Sequence, residues 1–173
     1  MKNTNGYKKI TEDQMVDLIG STKSSTFITV RMAAEPSWAR KKNNPFLGKV
    51  EKVQTFSGLV NFDYEKSVNT SLAKQGKTSD FKAQKPAAWG TRVGNTCIIE
   101  HNGSFYVDME VLRSLKVKYT IDGKAATKAE VEEIKTWLPI RKAPTNGSTV
   151  IVRRPAFRNI THIHCLGARY KLV

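Results

Sequence analysis

A mainly β domain with a minor helical part is what this chain predicts, on three observations. Runs rich in β-branched residues alternate apolar and polar positions, turn dipeptides such as Asn102-Gly103 and Asp122-Gly123 separate them, and only two segments carry the signature of a helix start. A chain of 173 residues suits one domain, 1–173, within which 1–22 reads as an N-terminal helical extension and 65–94 as a long basic loop region. With 39% hydrophobic and 25% charged residues it resembles a folding globular chain and not a disordered basic tail.

The first helix opens at Ile10-Thr11-Glu12-Asp13-Gln14-Met15, a capping box with Ile10 and Met15 as its hydrophobic staple, and Gly20 is its stop. STFITVRM, 25–32, predicts a strand with Phe27 and Thr29 on one face and Ile28, Val30 and Met32 on the other. The loop 35–46, broken by Pro36 and Pro45, concentrates Arg40, Lys41 and Lys42 between Trp38 and Phe46. GKVEKVQTF and LVNFDY then predict a hairpin turning at Ser57-Gly58. Between 65 and 94 periodicity is lost except for helical character near 68–73.

Order returns with CIIEHNGSFYVDMEV, a hairpin at Asn102-Gly103 that puts Phe105, Val107, Met109 and Val111 on one face. The strand bends through Ser114 toward VKYTI, and Asp122-Gly123 makes the next turn. Thr127 and Glu130 form a second capping box, opening a helix with the stripe Val131, Ile134 and Leu138 that Pro139 closes. Strands follow near 149–153, 160–166 and 169–173. An OB-like small barrel or a strongly bent antiparallel sheet with two short helices accommodates this order of elements.

Charge narrows the function classes. Lys and Arg number 29 against 15 Asp and Glu, and the net +14 draws in polyanions before any specific contact forms. After Glu133 the chain has no acidic residue, yet it carries Arg141, Lys142, Arg153, Arg154, Arg158, Arg169 and Lys171. Val150, Ile151, Val152, Ile160, Ile163, Leu166 and Leu172 are interleaved with these cations, which predicts core strands with arginines projecting from them. Nucleic acid is the expected partner, single-stranded DNA favoured, because such strands are held by a positive groove and by aromatic faces that contribute about 1–3 kcal/mol per stacked base. The candidate binding residues are Trp38, Arg40, Lys41, Lys42 and Phe46; Phe81, Lys82, Lys85, Trp89 and Arg92; and Arg153, Arg154, Phe157 and Arg158. The competing reading packs the aromatics, Trp89 and Phe157 among them, into the core. The geometric expectation is one ordered basic face gathering Arg153, Arg154 and Arg158 with Arg40, Lys41 and Lys42.

Other chemistries leave weaker traces. Cys97 and Cys165 lack C-x-x-C spacing, so reduced thiols are expected and neither a zinc ribbon nor a disulfide scaffold. No apolar stretch approaches the roughly 18 residues of a membrane span, and a soluble, cytoplasmic protein with no membrane partner is expected. Phosphate-loop, dinucleotide and esterase motifs are missing, and no cofactor is expected. His162 and His164 share a strand face, a placement from which imidazoles can hold a metal, but the sequence supplies no convergent further ligands. Glu100, Asp108 and Glu110 read either as a nuclease carboxylate cluster or, more simply, as a solvated strand face. The β-rich pattern leaves room for a homo-oligomer through edge pairing, and the charge suits an acidic protein partner as well as a nucleic acid.

The runs NNPFLGKVEKV, NFDYEKSVN and WGTRVGNTCIIEHNGSFYVDMEV, spread over 43–111, resemble small basic proteins of tailed bacteriophages, single-stranded-DNA-binding proteins among them. The resemblance implies a phage origin, a host-cytoplasm setting and a nucleic-acid role, and it transfers no individual binding residue. The expectation is therefore a non-catalytic, sequence-tolerant single-stranded-DNA-binding protein of phage replication or recombination. The alternative is a phage structural or interaction protein, either a virion component or an inhibitor of an acidic host protein, with a metal-dependent nuclease third.

Overall fold

The computed structural model describes residues 6–23, 25–41, 43–82, 90–94, 96–139 and 146–173. Its strands are β1 Tyr7–Ile10, β2 Thr26–Ala34, β3 Val50–Val60, β4 Thr91–Arg92, β5 Ile98–His101, β6 Ser104–Val107, β7 Met109–Ser114, β8 Lys118–Ile121, β9 Lys124–Ala125, β10 Ile151–Arg153, β11 Ile160–Cys165 and β12 Ala168–Leu172. The helices are α1 Glu12–Gly20, α2 Tyr64–Lys74 and α3 Lys128–Lys135. The fold is mainly β with minor helices. A third helix, α2, joins the two that the capping boxes announced; it starts at Asp63, whose carboxylate accepts from Lys66 N.

Most strands belong to one large sheet ordered β1-β12-β11-β2-β3-β7-β10, with β8 also on β3 and β9 on β8. This sheet does not close, so the architecture is an open sheet and not a barrel. It is mixed, because β1 runs parallel to β12. A small sheet, β4-β5-β6, packs against it, and a bridge between Tyr106 and Ala156 ties β6 to the segment that connects β10 to β11. Asn102-Gly103, Asp122-Gly123 and Leu166-Gly167 all pair φ near +50° with a glycine near +76°, the left-handed pair that a two-residue hairpin turn requires.

Ser57-Gly58 is not a turn. β3 passes through it unbroken, and its ladder to β7 slips there, with Ser57 opposite Arg113 and Gly58 opposite Val111, so Leu112 is the extra residue of a bulge. A Cβ on Gly58 would lie 1.8 Å from the Glu110 carbonyl oxygen. The glycine serves close backbone approach, a role the sequence does not distinguish from a turn.

One face of the large sheet carries the main core: Ile28 and Val30 from β2, Phe56 and Val60 from β3, Met109 from β7, and Ile160, Ile163 and Cys165 from β11. Met15 and Ile19 of α1 and Ile98 and Val107 of the small sheet cover it, and Phe157 is fully enclosed. Within the segment expected to be an N-terminal extension, Ile10, Met15 and Ile19 belong to the core cluster, and Thr11 caps α1. Ile160 and Ile163 both reach this core although they lie three apart, because a register shift between Ile160 and His162 leaves Thr161 as an extra residue. A second cluster of Trp38, Ala39, Phe46, Val50 and Ile134 forms at the other end of β3.

Burial pushes the Cys97 thiol up to about 11, and its Sγ donates to the Ile19 carbonyl, so the group stays protonated and packed. Among the described residues no helix is long and apolar enough to cross a membrane. Gly58→Ala is expected to cost about 1–3 kcal/mol of stability through overpacking against β7. Urea denaturation checks this, and an unchanged midpoint would show that β3 and β7 are not closely apposed there.

Candidate nucleic-acid interface

The aromatic residues of the first loop belong to the core. Trp38 and Phe46 are each 6% exposed, meet edge to face at 6.2 Å, and Trp38 meets Tyr119 at 6.3 Å. Asn44, itself buried, holds this loop together by donating to the Trp38 carbonyl and accepting from Phe46 N. Neither ring offers a face to a base, and Phe157 is fully buried as well. The packing reading therefore holds for Trp38, Phe46 and Phe157. Phe81 is half-buried, its backbone clasped at both polar atoms by the Asn69 side chain.

Several expected phosphate ligands are tied to carboxylates. Asp108 is 5% exposed and its two oxygens are shared out: Oδ2 accepts from Arg92 Nη2 at 2.8 Å and Oδ1 from Arg154 Nε at 3.2 Å. This clamp joins the small sheet to the segment after β10. It also assigns Asp108 a structural partnership in place of the solvated face expected for it; Glu110 accepts from Ser67 of α2. Arg40 pairs with Glu35 at 3.8 Å and Lys82 with Glu65 at 3.7 Å, both at the surface. The Arg158 guanidinium lies 5.6 Å from the Tyr106 ring centre. Lys41 and Arg153 are exposed. Lys42, Lys85 and Trp89 lie outside the described residues.

The expected union of the C-terminal arginines with the first loop fails for Arg154 and Arg40, which sit toward opposite ends of β3. Arg154 is anchored beside Met109, which pairs with Val60 at one end of β3, while Arg40 follows Trp38 on the cluster around Val50 at the other. The intervening strand rises by roughly 30 Å.

A different basic surface emerges from strand register. On the face of the large sheet opposite the main core, Lys9, Lys171, His162, Arg31 and Thr55 stand side by side on β1, β12, β11, β2 and β3. The next row holds Tyr7, Arg169, His164, Thr29 and Ser57, continued by Arg113 on β7. Neither row contains a carboxylate. Thr29 and Ser57 are linked through their hydroxyls at 2.8 Å, and the Tyr7 ring packs on the His162 ring at 5.0 Å. Phe27, two residues before Thr29 on the same face, is 56% exposed beside Leu59. Ser67 of α2, bonded to Glu110 opposite Leu59, bounds the surface on the β7 side.

These residues were not among the expected ligands, although the alternation of β2 and the shared face of His162 and His164 were readable. What the sequence withheld was which strands are neighbours. The same register bears on the histidine pair: His162 is flanked by Lys171 and Arg31, and that environment repels a metal ion and attracts an anion. Burial first, then the charges of Arg31 and Lys171, hold its imidazole below the usual value.

Comparison with family models, with curated proteins and with solved structures finds no match to this chain. If the Asp108 clamp is structural, Asp108→Asn lowers stability by about 1–2 kcal/mol, since Arg92 and Arg154 are half exposed and regain water, and it leaves oligonucleotide binding intact. Denaturation and binding measured on the same sample check both halves of this expectation.

Proposed function

We propose that this protein binds single-stranded nucleic acid, DNA favoured, without catalysis and with little sequence preference, across the open face of its large sheet. The observation that carries the reading is the pair of adjacent rows containing Lys9, Arg31, Arg113, Arg169 and Lys171 without a carboxylate. Like charges on neighbouring strands repel, and a phosphate backbone laid across them relieves that repulsion. An exposed aromatic beside the rows supports a single strand over a duplex, because Phe27 can stack only on a base that is free of its partner. Threonine, serine and lysine beside the path offer contacts to phosphate and sugar that carry little sequence information. The resemblance to phage single-stranded-DNA-binding proteins adds a role in replication or recombination of a phage genome.

Affinity for a single-stranded oligonucleotide is expected to fall by about 300-fold between roughly 50 and 200 mM salt if six phosphates are engaged. Replacing Arg31, Arg169 and Lys171 together by alanine should flatten the salt slope by about 0.7 for each phosphate no longer neutralised, and Phe27→Ala should remove about 1–3 kcal/mol. Arg40→Ala serves as the control with little effect. Duplex DNA and RNA titrated alongside establish strand preference. Wild-type affinity and slope in the triple variant would end this reading.

A further inference from the structure

We propose that Arg31, His162 and Lys171, side by side on β2, β11 and β12, form a phosphate-binding subsite that takes up a proton on His162 together with its ligand. The inference rests on the reading of the sheet face as a nucleic-acid surface and specifies where on that face a phosphate is seated.

The geometry begins with the bulge at Thr161. By absorbing one residue it turns Ile160 and Ile163 to the core and His162 to the open face, opposite Lys171 on one side and Arg31 on the other. Directly opposed positions on neighbouring strands have Cβ atoms about 5 Å apart, so the long side chains of Arg31 and Lys171 reach a common ligand above the imidazole. Two depressions meet here, of about 280 and 530 Å³, and both are lined by Arg31 and His162. The first adds Tyr7, Thr29, His164 and Arg169, all donors toward a phosphate oxygen in at least one protonation state. The second adds Lys171 and Arg158, with Glu12 and Glu51 as its acidic side chains.

The imidazole is prepared for this role on one side. Nδ1 engages the Thr161 hydroxyl at 2.9 Å, and Nε2 has no partner among the described residues. The Tyr7 ring on β1 packs against the imidazole, Lys9 lies beyond Lys171, and Arg169 and His164 occupy the neighbouring row. The charged groups around His162 are thus mainly cationic, with Glu12 and Glu51 bordering the second depression.

In the free protein this setting disfavours the imidazolium, through burial first and then through Arg31 and Lys171. A phosphate between those two side chains cancels their field and accepts from Nε2–H, so the ligand favours the imidazolium and, by reciprocity, the proton favours the ligand. Stability moves in a matching direction. With its folded value below the unfolded one, His162 makes the free protein less stable as pH falls through the ordinary imidazole range, because the unfolded chain then binds more protons. Bound phosphate opposes that loss.

Imidazole resonances followed by NMR across roughly pH 5–8, without ligand, with inorganic phosphate, and with oligonucleotides bearing or lacking a 5′-phosphate, test the subsite. Calorimetry in two buffers of different ionisation enthalpy counts the protons. The titration midpoint of His162 should rise with ligand, and binding should tighten toward about pH 6. His162→Gln should abolish proton uptake and the pH dependence of binding, whereas His164→Gln should retain the uptake. A larger response to the 5′-phosphorylated strand would identify the ligand as a terminal monoester; equal responses would identify the internal diester. Oligonucleotide binding that depends on Arg31 and Lys171 without proton uptake would overturn the subsite and leave the nucleic-acid reading standing. A response to inorganic phosphate alone would leave the subsite and overturn that reading. An unmoved His162 with every ligand would overturn the subsite outright.

Discussion

The register of β2 between β3 and β11 is the constraint on which the rest of the molecule depends. Ile28 and Val30 face α1 and the small sheet, while Thr29 and Arg31, which alternate with them, face outward. A slip of one residue would exchange the two sets, exposing aliphatic side chains and burying a guanidinium, so hydrophobic burial holds this register strongly. Because β3, β11, β12 and β1 are aligned in turn from β2, the same burial decides which cations stand side by side on the open face. The basic surface is a consequence of the core on the reverse of the sheet.

Two kinds of arginine and lysine follow from this arrangement. Arg92 and Arg154 complete the shell of a buried carboxylate, and Arg40 and Lys82 find acidic neighbours at the surface. For these, charge is largely answered within the protein. Lys9 and Lys171 stand directly opposite each other, a placement that costs stability unless a polyanion offsets it, and Arg31 and Arg169 stand in the same rows without a carboxylate. Surplus charge is therefore informative only after paired cations have been set aside, and by that measure the sheet face outranks the loops in which cations are most crowded along the chain.

Much of the fold was legible. Thr11 and Thr127 cap their helices as their spacing indicates, and Asn102-Gly103 and Asp122-Gly123 turn as that dipeptide does. Gly58 misled because glycine is used for two reasons, a positive φ or a missing Cβ, and here the close approach of the Glu110 backbone demands the second. Trp38 and Phe46 misled because a loop with two prolines and several cations reads as exposed, yet it folds over its own cluster around Asn44. The site was half legible: alternation shows that Arg31 faces away from Val30 and that His162 shares a face with His164. Their juxtaposition is a matter of register between strands distant in the chain, and periodicity within one strand contains no information about it. The bulge at Thr161 hides it further by breaking the alternation at the place where it matters.

Photo-crosslinking of a halogenated single-stranded oligonucleotide, followed by mass spectrometric mapping, bears most directly on the claim that the open sheet face is the binding surface. The account predicts adducts at Tyr7, Phe27 and the His162–His164 pair. Adducts confined to Trp38, Phe46 and the 81–92 segment would contradict it.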